Sequence, residues 1–165
     1  MSSPPAWIDQ WTPEEVAHWA LERYGAESGV PDSLLENEVD GIALLGTTFA
    51  SAAAAGISAY GLQKRLLADV DLLKRGQREH VCSESVMDWV PAVVSRWALL
   101  EGLDLGIADK FSEHHISGNI LLDLDDSALT QMGIDSSSNR LKILKCIDKL
   151  AVDEEKRVCD AVSAS

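Results

Sequence analysis

The chain has 165 residues, of which 46% are hydrophobic and 25% are charged, as in an ordinary globular protein. Its 14 Lys and Arg residues against 27 Asp and Glu residues give a net charge of −13, which repels nucleic acids and anionic membranes at long range. The N-terminus lacks signal-peptide features, no apolar run is long enough to span a membrane, and the three cysteines lack disulfide-framework spacing. We therefore expect a reducing compartment, the cytoplasm or alternatively the nucleus, and no membrane association.

The first predicted helix opens with a capping pattern. Thr12, Pro13 and Glu15 combine an N-cap threonine, a proline in the first turn and a glutamate three residues after the cap. This helix should end by Gly25, and a polar loop then leads to a second helix that opens near Asp32. The buried face of the first helix is expected to hold Val16, Trp19 and Ala20.

Three further helices are predicted before the middle of the chain. The Asp40-Gly41 pair is interpreted as a turn, and a very short helix follows it. Thr48 can cap the next helix and Gly56 can stop it. The longest helix is expected from about 61 to 75. Its apolar stripe is formed by Leu62, Leu66, Leu67, Val70 and Leu73.

The second half of the chain repeats the first at a shift of 77 or 78 residues. The segment Trp11 to Trp19 returns as Trp89 to Trp97, and Gly56 returns as Gly133. One residue of slip indicates two copies of one small domain rather than a solenoid array. The predicted fold is therefore all-α, with two tandem five-helix bundles.

The second copy is expected to have the better core. Asp125 can cap its fourth helix, and its fifth helix should run from about Ser138 past Leu150. Ala52 of the first copy stands where the second copy has Leu129, so the first copy must pack more closely or be less stable. The positions predicted to line the second and fifth helices of the second copy are Leu103, Leu105, Ile107, Phe111, Leu141, Ile143, Leu144, Ile147 and Leu150. The predicted boundaries are an N-terminal extension at 1–10, domains at 11–75 and 86–150, a linker at 76–85 and a partly disordered tail at 151–165.

The second copy also carries a run of spaced motifs. After the tryptophan segment it reads Phe111-Ser-Glu-His-His-Ile-Ser-Gly118, then Leu129-Thr-Gln-Met-Gly-Ile134, then Asn139-Arg-Leu-Lys-Ile-Leu144. This order resembles the sterile alpha motif (SAM) domain family. The first copy resembles it less, because it keeps the tryptophans and the glycines but departs in its fourth helix. The resemblance implies a five-helix fold and association with other SAM domains, in which the start of the last helix of one domain contacts the middle of another.

Catalytic and metal-binding interpretations fail on spacing. A calcium loop that began at Asp123 would need glycine at its sixth position and glutamate at its twelfth, where the chain has Ala128 and Ile134. His114 and His115 have no partner at zinc spacing. No Ser-His-Asp set, phosphate-binding glycine loop or pair of catalytic acids is present. We expect a protein that is not an enzyme and that needs no cofactor, metal ion or small-molecule ligand.

Charge is segregated within each copy. The last helix of the second copy carries Arg140, Lys142, Lys145 and Lys149, with Leu141 as a candidate apolar anchor. The acidic middle of that copy contains Asp104, Asp109, Glu113, Asp123 and Asp126. The first copy has a weaker version, formed by Lys64 and Arg65 against Glu36, Glu38 and Asp40. These residues are predicted to bind another SAM domain or a second copy of the chain. A merely solvated helix face is the alternative.

The sequence leaves three further alternatives open. Some SAM domains bind RNA hairpins through a basic last helix, but the charge of −13 and the flanking Asp135 and Asp148 weigh against RNA. A regulatory role in signalling or scaffolding proteins differs from the main hypothesis only in the partner. The two copies are compatible with an intramolecular contact or with two valencies for one partner.

Overall fold

The computed structural model describes residues 7–163, and within this range the chain forms ten α-helices and no β-strand. The all-α prediction is therefore confirmed. The chain divides into two compact units, Met1–Arg78 (unit 1) and Glu79–Ser165 (unit 2). In the part of the chain that is described, no helix combines the length and apolarity needed to cross a membrane.

Unit 1 contains four of these helices and most of a fifth, whose last three residues belong to unit 2. They are α1 (Pro13–Tyr24), α2 (Val30–Glu36), α3 (Gly41–Leu45), α4 (Phe49–Ala54) and α5 (Tyr60–Val81), with 3₁₀ turns at Ile8–Gln10 and Ala26–Ser28. Thr12 caps α1 as predicted, because its hydroxyl accepts the Glu15 amide while the Glu15 carboxylate accepts the Thr12 amide. Thr48 caps α4 in the same way, through Ser51. Helix α2 begins before the predicted start near Asp32, because Gly29 turns the chain with a φ of +76°.

The core of unit 1 is formed where α1 packs across α2, and α5 contributes buried side chains to it. Its fully buried side chains include Val16, Leu44, Leu66 and Val70. Trp19, predicted as a core residue, is only half-buried. The ring of Trp19 lies between the rings of Trp11 and Tyr24, at centroid distances of 6.5 and 5.9 Å.

Unit 2 contains the other five helices. They are α6 (Pro91–Leu100), α7 (Leu105–Glu113), α8 (Gly118–Leu121), α9 (Asp126–Gln131) and α10 (Ser137–Ser163), preceded by a 3₁₀ turn at Val86–Asp88. Trp97 is 1% exposed, which confirms it as a core residue. Asp125 caps α9 by accepting the Ala128 amide at 2.8 Å.

Two leucines of unit 2 do not face inward as predicted. Leu105 is 46% exposed and Leu141 is 56% exposed. Leu105 is the first residue of α7, ahead of the turn that buries Ile107. Leu141 lies two residues before the buried Ile143, which is roughly 200° around an α-helix. The inward positions of α10 are instead Ile143, Ile147 and Leu150.

One glycine in each unit permits a close approach of two backbones. A Cβ atom on Gly41 would lie 1.5 Å from the Ile8 carbonyl oxygen, and one on Gly118 would lie 1.7 Å from that of Val86. Each glycine amide donates a hydrogen bond to a tryptophan carbonyl, from Gly41 to Trp11 and from Gly118 to Trp89, at 2.9 Å. Asp40 is the N-cap of α3 and Gly41 is its first residue, so the helix begins within the pair that was predicted to be a turn.

The units include residues that were predicted to be an extension, a linker or a tail. Ile8 is buried, so the turn at Ile8–Gln10 belongs to unit 1, whereas residues 1–6 of the predicted extension lie outside the described range. Helix α5 continues to Val81, so the first part of the predicted linker is helical. Helix α10 continues to Ser163, where a tail was expected. Glu154 in that extension accepts a hydrogen bond from the amide of Val86, the first residue of the 3₁₀ turn that precedes α6.

Candidate interaction surfaces

Arg140, the first of the predicted contact residues, is held within unit 2. Its Nε lies 2.8 Å from an oxygen of Asp126, and its Nη1 donates hydrogen bonds to the carbonyls of Ile134 and Asp135 at 2.9 and 2.8 Å. The Arg140 side chain is 16% exposed. Arg140 therefore ties the start of α10 to α9. The contact also joins two residues, Arg140 and Asp126, that were predicted to lie on opposite surfaces.

The other predicted residues of α10 lie on its exposed side. Leu141, Lys145 and Lys149 are four residues apart, so they form one ridge along the helix. Lys145 and Lys149 form no ion pair with any residue in the range 7–163. Lys142 is also exposed, and its Nζ donates a hydrogen bond to the Gly102 carbonyl at 3.1 Å. We call Leu141, Lys145 and Lys149 the α10 ridge.

The acidic residues of unit 2 that were predicted to bind a partner are all exposed, but they differ in their contacts. Asp104 is the N-cap of α7, and Glu113 lies 3.7 Å from Lys110 on the same helix. Asp109 and Glu113 are one turn apart on α7, and Asp123 follows α8. Ile120 of α8 is 42% exposed. We call Asp109, Glu113, Ile120 and Asp123 the acidic surface.

The last helix of unit 1 begins with different chemistry. Gln63 stands where unit 2 has Arg140, and its amide donates to the Ile57 carbonyl at 2.7 Å. In place of the Arg140–Asp126 ion pair of unit 2, unit 1 has the stacked rings of Phe49 and Tyr60. Their centroids are 5.9 Å apart and the interplanar angle is 5°. Phe49 is 46% exposed and Tyr60 is 65% exposed. Of the predicted residues nearby, Lys64 is exposed.

Arg65, also predicted as a contact residue, belongs to a polar network around Asp69. Its guanidinium lies 4.8 Å from the Tyr24 ring centroid and donates to the Arg23 carbonyl at 3.1 Å. Asp69 is 8% exposed, pairs with Arg23 at 2.9 Å and accepts the Tyr24 hydroxyl. The hydrogen bond from Arg23 holds the pKa of Asp69 below its ordinary value, and burial raises the pKa of Tyr24. This network was not predictable from the sequence, apart from an aspartate among the apolar positions of α5.

The acidic residues predicted for unit 1 are exposed or partly exposed. Glu36 ends α2, and Glu38 lies in the following turn with a φ of +51°. Asp40 accepts the Ala43 amide at 2.9 Å as the cap of α3, so it has a local structural role. The two surfaces of unit 2 thus offer exposed charges next to exposed apolar side chains, which is the composition of a protein contact.

Comparison with known proteins agrees with that chemistry for unit 2. Residues 81–151 match the family model described as the SAM domain (sterile alpha motif). BEM1-interacting protein 2 of Saccharomyces cerevisiae is 37% identical over 62 residues, which is 38% of this chain and 6% of that protein. BEM1-interacting protein 1 of the same yeast is 37% identical over 75 residues, 44% of this chain and 8% of that protein. Protein pob1 of Schizosaccharomyces pombe is 34% identical over 67 residues, 41% of this chain and 8% of that protein.

The chain therefore spans less than a tenth of the length of these relatives. No solved structure matches it. The matched segment of the chain is a SAM domain, and SAM domains generally act as protein-interaction modules.

Proposed function

We propose that the SAM domain at residues 81–151 binds a second SAM domain, in another copy of this chain or in a different protein, through the α10 ridge. The exposed Leu141 supports this most directly, because it is 56% exposed beside Lys145 on the same helix face. Exposed ion pairs contribute only about 0.2–1 kcal/mol each, so a stable contact needs an apolar anchor as well. The ridge offers both.

The counterpart of the ridge in this proposal is an acidic SAM surface like that of unit 2. There Ile120 supplies the apolar contact, and Asp109, Glu113 and Asp123 supply the charge. Such complementarity steers association and fixes the orientation of the partners. Because the ridge and the acidic surface are different surfaces, the contact is head-to-tail and can extend into a chain of molecules.

Unit 1 is proposed to be a second, divergent SAM-like domain. Three features recur in it at the shift seen in the sequence: the order of five helices, the close approach at Gly41 and Gly118, and the left-handed residue before the third helix, Glu38 or His115. A chain with two such domains is a non-enzymatic adaptor or scaffold with two valencies, and simultaneous engagement would raise its avidity. A site of action in the cytoplasm, or alternatively the nucleus, is part of this proposal.

A charge-reversal experiment with the full chain tests the head-to-tail contact. One variant carries Lys145→Glu and Lys149→Glu, and the other carries Asp109→Lys and Glu113→Lys. Each variant keeps one intact surface, so each should be monomeric alone in light scattering after size exclusion. A mixture of the two should form a one-to-one dimer, because the intact ridge of one variant can bind the intact acidic surface of the other.

Lys156→Glu is the matched control, since it reverses an exposed charge of α10 outside the ridge. If the parent associates and both reversed variants associate equally well, the ridge is a solvated helix face. If the parent is monomeric and binds no SAM domain supplied in trans, the proposal fails. Arg140 is unsuitable as a test position, because its contact with Asp126 makes loss of folding indistinguishable from loss of binding.

RNA binding is less well supported by the geometry than by the sequence. The guanidinium of Arg140 faces Asp126 and backbone carbonyls of unit 2, so of the four predicted basic residues of α10 only Lys142, Lys145 and Lys149 remain to contact phosphates. Neutralising few phosphates releases few counterions, so the binding would be weak. We therefore favour a protein partner.

A further inference from the structure

Unit 1 has a cleft between α1 and α2 that the proposed SAM contact does not use. Its volume is about 370 Å³. Two large apolar side chains of the cleft are open to solvent, Leu21 at 45% and Leu35 at 42% exposure. The cleft is lined by Glu14, Ala17, His18, Leu21, Ala26, Pro31, Asp32 and Leu35. Its walls are therefore mainly apolar.

The charge of the cleft has one sign. Glu14 and Asp32 are both exposed, and no lysine or arginine lines the cleft. His18 contacts Glu22 on the same helix, with Nε2 at 3.2 Å from a carboxylate oxygen. The cation that follows on α1, Arg23, is engaged by Asp69. The apolar floor of the cleft, formed by Leu21 and Leu35, is therefore accompanied by two carboxylates that no lysine or arginine of the cleft neutralises.

The same position in unit 2 has a different surface. Ser95 and Ala108 stand where unit 1 has Ala17 and Pro31, and the Ser95 hydroxyl donates to the Ala108 carbonyl at 2.9 Å. Ser112 stands where unit 1 has Leu35. The Ser95 hydrogen bond joins α6 to α7. Because Ser112 replaces Leu35, unit 2 lacks one of the two exposed leucines of the cleft. The apolar character of the cleft is thus a property of unit 1 rather than of the helical framework.

We infer that this cleft binds a segment of a protein partner that presents two large apolar side chains next to lysine or arginine. The volume is at the lower end of the roughly 300–1,000 Å³ typical of ligand clefts, so it suits side chains rather than a whole helix. Leu21 and Leu35 provide the apolar contact, and Glu14 and Asp32 select for basic flanking residues. The inference is independent of the α10 ridge, because the cleft lies wholly within unit 1.

Titration of the isotope-labelled full chain with three synthetic peptides tests the inference by NMR. The probes are an amphipathic leucine–lysine peptide, a leucine–glutamate peptide of the same pattern, and a serine–lysine peptide. The first should shift amide signals of α1 and α2, and the other two should bind at least about tenfold more weakly. Equal affinity for the serine–lysine peptide, or shifts spread over other acidic parts of the chain, would show general attraction to a negative protein and overturn the inference.

Paired variants locate the binding. Leu21→Ser with Leu35→Ser should weaken the leucine–lysine peptide at least about tenfold, whereas Leu72→Ser, an exposed leucine of α5, should not. Glu14→Gln with Asp32→Asn removes the charge without altering the apolar floor, and it should also weaken binding. Unchanged affinity in either cleft variant contradicts the inference, and the second variant decides the question if the first fails to fold.

Discussion

Replacing Ala52 with leucine should stabilise unit 1. Ala52 is 2% exposed on α4, and beside it lies a pocket of about 80 Å³ that is partly open to solvent. The pocket is lined by Leu34, Val39, Ala43, Thr47, Ser51, Ala52, Ala55 and Leu66. Leu129 occupies the equivalent position in unit 2 and is fully buried there. The alanine-rich helix thus leaves space that a leucine side chain can occupy.

The expected gain follows from the volume. At about 24 cal/mol per Å³ of enclosed cavity, filling 80 Å³ contributes at most about 2 kcal/mol, because the pocket is partly open to solvent. Ordering a leucine side chain costs about 0.5–1 kcal/mol. The net stabilisation is therefore on the order of 1 kcal/mol. With a denaturant dependence near 1 kcal/mol/M for a domain this small, the urea midpoint of unit 1 should rise by about 1 M.

Hydrogen exchange measured by mass spectrometry across a urea series distinguishes the two units in the full chain, since peptides from each can be followed separately. Ala53→Leu is the control, because it adds the same side chain at an exposed position of α4. If Ala52→Leu lowers the unit 1 midpoint while Ala53→Leu leaves it unchanged, α4 lies too close to its neighbours to accept leucine. The parent protein tests a related prediction in the same series: unit 1 should unfold at lower urea than unit 2.

Two further predictions concern single positions. The pKa of Asp69 is lowered in the folded state, so its contribution to stability is present above the ordinary value of about 3.9 and is lost as pH falls through the folded pKa. Asp69→Asn should therefore lower the urea midpoint of unit 1 at pH 7, and the midpoint of this variant should fall less on acidification than that of the parent. Asp71→Asn is the control and should change neither quantity. Equal pH dependence of the midpoint in the parent and in Asp69→Asn would contradict the prediction. Gly118→Ala should destabilise unit 2 by about 3 kcal/mol or more in urea unfolding, because the added Cβ would overlap the Val86 carbonyl. Gly106→Ala is the control, since a Cβ at Gly106 meets open space. Similar urea midpoints for the two variants would refute the close approach at Gly118.

Local signals made the helices predictable. Capping depends on a few adjacent residues, so Thr12, Thr48 and Asp125 were identified from the sequence and are confirmed as caps. The 77- or 78-residue repeat predicted two units with the same order of helices. Glycine recurs in this repeat at Gly41 and Gly118, because both positions make the same close backbone contact.

The surfaces were harder to predict, because they depend on neighbours distant in sequence. Arg140 was expected to be free, yet its guanidinium reaches Asp126 and two carbonyls of the preceding loop. Ile120 is exposed on a helix of a single turn, where periodicity carries little information about burial. The cleft at Leu21 and Leu35 was not predicted at all, since it depends on the packing of α1 against α2.

The two units use different interactions to stabilise the same order of helices. Unit 2 fills its fourth helix with Leu129, whereas unit 1 has Ala52 there and adds a charged network at Asp69, where unit 2 has Cys146. A buried charge is stabilising only while its partners are present, so unit 1 should respond to acid more strongly than unit 2. The positions that repeat in the sequence are those that set the backbone, such as the tryptophans and the paired glycines. The exposed positions differ, with an ion pair at the start of α10 and stacked rings at the start of α5. A binding partner identified for one unit is therefore no evidence for a partner of the other, and each surface requires its own variants.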